Sequence, residues 1–189
     1  MNIVLASASP RRRELLSHYI TDFTVDPAAG PETPPVGASP EDTVVALAAA
    51  KAAEVAARHA ADSLVIAADT IVELDGVILG KPADRNDAFR MLRSLSGREH
   101  RVYTGVALVH GGRTLRAAER TSVHFREMTD REIHAYIDSG EPMDKAGAYG
   151  YQGLAGVFIE RIEGDYFNVV GLPLCRLDRM LQAMGVTLL

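Results

Sequence analysis

Apolar and polar positions along this chain switch between a period of about two and a period of about 3.6, so strands and helices are mixed throughout its length. Ile3 to Ala6 reads as a short apolar strand. Ser9-Pro10 then supplies an N-cap and a first-turn proline for a helix through Arg11, Arg12, Arg13, Leu15 and Leu16. Proline, glycine and alanine between Asp26 and Ala38 predict a long loop. Ser39-Pro40-Glu41-Asp42 reads as a capping box opening an alanine-rich helix to about Ala60. Leu64 to Ala68 is a buried strand, and Ile71 to Leu79 folds back through the turn signal Asp75-Gly76.

Phe89, Leu92 and Leu95 stand at helical spacing after Lys81-Pro82, and Gly97 stops that helix. Strands around Arg101 to Val109 and Leu115 to Phe125 are joined at Gly111-Gly112, and Thr129-Asp130-Arg131-Glu132 caps a helix ending near Gly140. A glycine-rich loop from Glu141 to Gly156 leads into strands Val157 to Ile162 and Tyr166 to Val170, turned at Gly164-Asp165, before Pro173 starts a closing helix. No repeat or linker interrupts the series. The pattern predicts one domain over residues 1–189 of α/β class, with a mixed twisted sheet, flanking helices and room for two lobes around a central cleft.

The 189 residues, 47% hydrophobic, are enough for a full core, and the net charge of −5 argues against a dedicated nucleic-acid or anionic-membrane binder. One cysteine, Cys175, excludes an internal disulfide framework and fits a reducing cytosol. No signal-peptide pattern and no apolar run near the roughly 20 residues of a membrane span occurs, so a cytoplasmic protein is expected. Seventeen of the 20 basic residues are arginine, which makes Lys51, Lys81 and Lys145 conspicuous. Compact ammonium charges suit phosphate oxygens, and chance placement accounts for them equally well on lysine usage alone.

Three constellations carry chemistry. In Ser7-Ala-Ser9-Pro-Arg11-Arg12-Arg13, helix-start amides, hydroxyls and guanidinium groups make an anion site. The other reading is a capped surface helix, and three consecutive arginines cannot share one helical face. Asp69-Thr70 lies inside an apolar run, where a carboxylate must be paired, metal-bound or facing a cleft unless it simply ends a strand. The hairpin returns Lys81 toward the same end of the sheet, and Lys51 falls on the apolar stripe of Val44, Leu47, Ala48 and Val55, where it either snorkels or enters a cavity. The third constellation is Asp144-Lys145-Ala-Gly-Ala-Tyr-Gly-Tyr-Gln152-Gly: glycines admit a ligand, tyrosines offer stacking, and Gln152 can donate to and accept from a base edge. Glycines and aromatics also make ordinary tight loops. There is no P-loop, no G-x-G-x-x-G after the first strand, no paired His/Cys metal spacing and no G-x-S-x-G; surface positions are expected for all six histidines.

These motifs in this order, with Gly164-Asp165-Tyr166 and Val170-Gly171-Leu172-Pro173, resemble the Maf (septum-formation) family of nucleoside triphosphate pyrophosphatases over essentially the whole chain. The resemblance implies an inosine-triphosphate-pyrophosphatase-like fold, often a homodimer, and hydrolysis of dTTP and UTP between the α and β phosphates. It assigns proton acceptance to Asp69, substrate choice to Arg12, Thr70 and Gln152, and phosphate binding to Lys51 and Lys81. Ser7, Ser9 and Arg12 join the phosphate set, and Arg11, Glu32, Asp144 and Lys145 are further candidates. A Mg²⁺ or Mn²⁺ ion, with Asp69 as candidate ligand, is the expected cofactor. Members often carry an acidic pair in the loop that here keeps only Glu32. Two alternatives stay open: a pyrophosphatase for modified nucleotides such as 5-methyl-UTP, pseudo-UTP or 7-methyl-GTP, and a regulatory nucleotide-binding protein of septum formation.

Overall fold

The computed structural model describes residues 1–188. Strands β1 (Ile3–Leu5), β2 (Thr24–Val25), β3 (Leu64–Leu74), β4 (Val77–Leu79), β5 (Glu99–His110), β6 (Arg113–Phe125) and β7 (Ile159–Glu163) alternate with helices α1 (Pro10–Ser17), α2 (Pro40–Ala56), α3 (Arg85–Leu95), α4 (Asp130–Asp138), α5 (Tyr166–Val170) and α6 (Leu174–Ala183). The strands form one mixed seven-stranded sheet in the order β2-β1-β3-β5-β6-β7, with β4 paired to β3. β1 runs parallel to β2 and β3, whereas the β3–β4 and β6–β7 pairs are antiparallel. The expected mixed α/β sheet with flanking helices is therefore present. Among the described residues, no helix is long and apolar enough to cross a membrane.

The chain divides into two compact units. One comprises residues 1–69, 104–119 and the stretch from Gly171 onward; the other comprises 70–103 and 120–170. The first unit packs small residues: Ala48, Ala52 and Val55 of α2 meet Val4, Val65, Ala67 and Ala107 of the sheet and Ala6 just beyond β1. Alanine on the helix face lets the backbones come close, and at Gly105 of β5 an added Cβ would lie 2.2 Å from the Val44 carbonyl oxygen. The second unit has a larger-residue core, with Leu92, Leu95, Val123, Phe125, Ile133 and Phe158 buried together.

Local capping chemistry sets most helix starts. Ser9, Ser39 and Thr129 each accept a backbone N–H from three residues on, and Thr129 with Glu132 completes the reciprocal capping box. At Ser39 the reciprocal half differs, because the Ser39 hydroxyl donates to Asp42 Oδ2 at 2.7 Å. α2 stops at Ala56, short of the expected Ala60. Arg58 and His59 turn away to pair with Asp26, at 3.0 and 2.8 Å.

Four expectations are corrected. β3 is one strand from Leu64 to Leu74 rather than two, since nothing at Asp69-Thr70 breaks extended backbone and β-branched Thr70 favours it. Tyr166 to Val170 is helix α5, not a strand. The Asp165 carboxylate accepts the Phe167 N–H at 2.8 Å, and the buried Asn168 amide donates to the Val102 carbonyl and Thr121 Oγ1, both at 3.0 Å. Its aromatic and β-branched residues gave no local sign of that buried amide. The loop from Glu141 to Gly156 holds two short 3₁₀ turns, Glu141–Asp144 and Ala146–Ala148, and a third, Leu154–Phe158, runs past it, so the strand expected from Val157 begins at Ile159. Finally, His100 is buried, 2% exposed, edge-on to Phe125 and Tyr149 with Nε2 2.7 Å from the Tyr149 hydroxyl.

Two predictions follow from this packing. Gly105→Ala drives a methyl into the α2 backbone and should lower the urea-unfolding free energy by roughly 2–3 kcal/mol. Burial, and secondarily the charge of His124, depress the His100 pKa to about 3. The unfolded chain, with histidine near 6.5, then binds a proton that the folded protein excludes. This contribution is intact above about pH 6.5 and is lost as pH falls toward 3, by up to about 1.4 kcal/mol per unit. The slope of unfolding free energy between pH 7 and 5 should be shallower in His100→Phe, and an equal slope in both proteins would remove His100 as its source.

Candidate active site

In the first unit, the turn from β1 into α1 is organised by its serines. Ser7, itself buried, accepts the Ser9 N–H at 3.3 Å and the Arg12 Nη1–H at 3.1 Å. Arg12 also donates from Nη1 to the Ala68 carbonyl at 2.9 Å and from Nε to the Gly171 carbonyl at 2.8 Å. One guanidinium thus joins α1 to the strand residue just before Asp69 and to the segment leading into α6. Burial lowers the Arg12 pKa from its ordinary value, opposed first by the charge of Asp69. Arg11 is half-buried beside it, and Arg13 is exposed.

Asp69 is 6% exposed inside β3. Its Oδ1 accepts a charge-assisted hydrogen bond from Lys51 Nζ at 2.5 Å, and the same ammonium lies 2.7 Å from Glu32 Oε1. Lys51 therefore does not snorkel to open solvent: it is mostly buried and bridges two carboxylates. The isolated acid of the long loop is one of them. That loop is anchored ahead of Glu32, where the Ala29 and Gly30 N–H groups donate to the Glu54 carboxylate at 2.9 and 3.0 Å and lower its pKa. Asp26 likewise has a lowered pKa, chiefly through its hydrogen bond with His59. Glu54, Arg58 and His59 carried no sequence signal for this task, because the loop residues they hold lie 24 to 33 residues earlier in the chain.

In the second unit, Thr70 follows Asp69 directly and is half-buried. The register Val72↔Leu79 brings the chain beyond β4 back to the Thr70 end of the hairpin, where Lys81 is exposed. The Gly147 N–H donates to the Gly80 carbonyl at 3.0 Å, tying the Asp144–Gly153 loop to the residue before Lys81. Gly147 has φ +67°, and an added Cβ would lie 2.9 Å from Val72, so glycine is required there twice over. Lys145 Nζ donates to Asp144 Oδ1 and to the Glu141 carbonyl, both at 2.7 Å. Gln152 is exposed in the turn that follows.

This loop departs from its reading as a ligand platform in two respects. Tyr149 is a core residue, 6% exposed, and its hydroxyl faces His100. The space left by Gly150 and Gly153 is filled from within, by Lys145 and Glu141. Tyr151 packs edge-on to Tyr166 with ring centroids 4.8 Å apart.

Ser7, Arg12, Glu32, Lys51 and Asp69 are thus linked in the first unit, whereas Thr70, Lys81, Asp144, Lys145 and Gln152 belong to the second. Among the described residues, no group of three or more His, Cys, Asp or Glu is arranged to hold a metal ion.

The mixed α/β fold is shared with a solved structure, the Ham1 protein of Staphylococcus aureus. The match has a TM-score of 0.53 at 15% identity, over 97% of this chain and 100% of that one. At that identity the likeness is one of fold. A family model described as Maf-like protein matches residues 2–184, and the chain belongs to the Maf family. Among curated relatives, the dTTP/UTP pyrophosphatase of Thermococcus gammatolerans is 54% identical over 172 residues, 91% of this chain and 91% of that protein. The dTTP/UTP pyrophosphatase of Pelotomaculum thermopropionicum is 51% identical over 189 residues, covering 99% and 98%.

The Lys51 bridge gives a stability prediction. Lys51→Met leaves the Asp69 carboxylate buried without its counter-charge and should cost roughly 3 kcal/mol in urea unfolding at pH 7. Lys51→Met combined with Asp69→Leu should recover most of that loss.

Proposed function

We propose that this protein is a nucleoside triphosphate pyrophosphatase that hydrolyses dTTP and UTP to the nucleoside monophosphate and pyrophosphate. The observation that carries the reading is the buried Asp69 carboxylate held by Lys51 at 2.5 Å, in a chain about half identical to proteins named for this activity. An aspartate inside an apolar strand is costly to bury, and an ammonium bound to it offers positive charge next to a proton acceptor.

In the proposed reaction, water attacks the α-phosphorus in line with the bridging oxygen to the β-phosphorus. Asp69 accepts the proton of the attacking water. The new P–O bond forms as the α–β anhydride bond breaks, and its electron pair leaves on pyrophosphate. Lys51, released from one of its carboxylates, meets phosphate charge, and Arg12 with the Ser7 and Ser9 hydroxyls adds donors at the start of α1. Lys81 is assigned to phosphate and Gln152 to the base edge, with Arg12 and Thr70 contributing to substrate choice.

The residues present suit a Mg²⁺ or Mn²⁺ ion. Asp69 and Glu32 offer hard carboxylate oxygens that already converge on one cation, the Lys51 ammonium. Magnesium sites commonly use one or two carboxylates and leave the remaining positions to phosphate oxygens and water. When bound, the ion supplies charge neutralisation on the triphosphate.

Pyrophosphate release should be measured with Mg²⁺ or Mn²⁺ across dTTP, UTP, CTP, GTP, 5-methyl-UTP and 7-methyl-GTP, without any partner protein. The expected result is release from dTTP and UTP. Asp69→Asn should lower kcat by at least about 100-fold while nucleotide still binds. A 7-methyl-GTP preference would overturn the assigned substrates, turnover in folded Asp69→Asn would remove Asp69 from proton transfer, and binding without turnover would favour a regulatory role.

A further inference from the structure

Gln152 sits in the turn of residues 150–154, closed by the Gly153 N–H donating to the Gly150 carbonyl at 3.2 Å. Gln152, Gly153 and Leu154 are all exposed, so packing does little to hold the residue that carries the base-reading amide. One carboxylate does hold it. Glu141 Oε2 accepts the Leu154 N–H at 3.0 Å, and Oε1 accepts the Tyr136 hydroxyl at 2.8 Å. The Tyr136 oxygen in turn accepts the Gly150 N–H at 3.3 Å. Both ends of the turn are therefore tied to Glu141, one directly and one through a buried phenol.

The anchor is itself fixed. The Glu141 N–H donates to Ser139 Oγ at 3.2 Å, its carbonyl accepts Lys145 Nζ at 2.7 Å, and Tyr136 is 3% exposed and edge-on to Phe158. Burial, with the Glu141 hydrogen bond second, raises the Tyr136 pKa, so the phenol remains the donor in this chain. The fit is close enough that a Cβ on Gly153 would lie 2.2 Å from Glu141 Oε1.

We propose that Glu141 is a positioning residue that sets base selectivity by fixing the turn that presents Gln152. The inference rests on the reading of Gln152 as the base contact. A glutamine amide can accept from N3–H and donate to O4 of uracil or thymine, whereas cytosine presents the opposite pair. An amide on a loose turn meets either edge. Held in place, the same amide keeps one register, and a base that mismatches it leaves polar groups unpaired.

The test compares kcat and KM for UTP, dTTP and CTP in the wild type, Glu141→Ala, Glu141→Gln, Gly153→Ala and Gln152→Ala, with folding checked by circular dichroism. Glu141→Ala should raise KM for UTP and dTTP about tenfold and shrink the UTP-to-CTP ratio of kcat/KM by a similar factor, with kcat within about threefold. Glu141→Gln keeps an acceptor for Leu154 and should restore most of the selectivity. Gly153→Ala displaces the turn with the carboxylate intact and should repeat the Glu141→Ala result. If Gln152→Ala alters base preference while folded Glu141→Ala and Gly153→Ala do not, the positioning role is wrong. If Gln152→Ala itself leaves the preference unchanged, the reading of Gln152 has failed instead. A loss in Glu141→Ala that is equal for all three nucleotides would also overturn the proposal, since it would show a general structural role.

Discussion

The candidate site in the first unit depends on how closely α2 lies against the sheet. Alanine at positions 48 and 52 and glycine at position 105 remove the side-chain bulk that ordinarily separates a helix from a strand layer. At that distance the four-carbon stem of Lys51 reaches Asp69 on β3 with direct contact to its carboxylate. A larger residue at Gly105 would meet backbone, which has no rotamer to yield, and would displace the helix that carries the lysine. The same stripe of small residues therefore serves the core and the placement of a charge.

That charge makes the rest of the arrangement tenable. A carboxylate within β3 would be strongly penalised alone, and a lysine on the inner face of α2 equally so. Paired, each offsets part of the other's penalty, and Glu32 shares the ammonium from a loop that has little regular structure. The loop is held upstream by two backbone N–H groups on Glu54 and by Asp26 with Arg58 and His59. Arg12 likewise satisfies its charge within the unit, binding the Ala68 carbonyl, beside Asp69 in the chain, and the Gly171 carbonyl, ahead of α6. A nucleotide phosphate arriving there would compete with contacts the protein already makes to itself.

In the second unit the loop read as a ligand platform is built largely for its own support. Gly147 accommodates Val72, Gly150 accommodates Lys145, and Gly153 accommodates Glu141, so three glycines fit internal side chains. Tyr149 is part of an aromatic and histidine cluster in the core. Gln152 remains exposed at the tip of a turn whose ends are both fixed.

Much of this was legible beforehand. Caps at Ser9, Ser39 and Thr129, the turns at Asp75-Gly76 and Gly111-Gly112, and the apolar stripe of α2 are local signals, set by backbone hydrogen bonding and side-chain periodicity within a few residues. Asp69 and Lys51 were also visible, because a charge in an apolar pattern is conspicuous wherever it occurs. The sequence by itself therefore determined most elements, the mixed α/β class and the charged residues that need an explanation. Only the tertiary structure decided that Lys51 bridges Glu32 and Asp69, that Arg12 binds carbonyls, and that Tyr166–Val170 coils into a helix around a buried Asn168 amide. It also buried His100 against Tyr149 and gave Glu141 both ends of the Gln152 turn. Each of these is a contact between residues distant in sequence or a choice imposed by one, and local propensity carries no term for a partner that arrives only when the chain has folded.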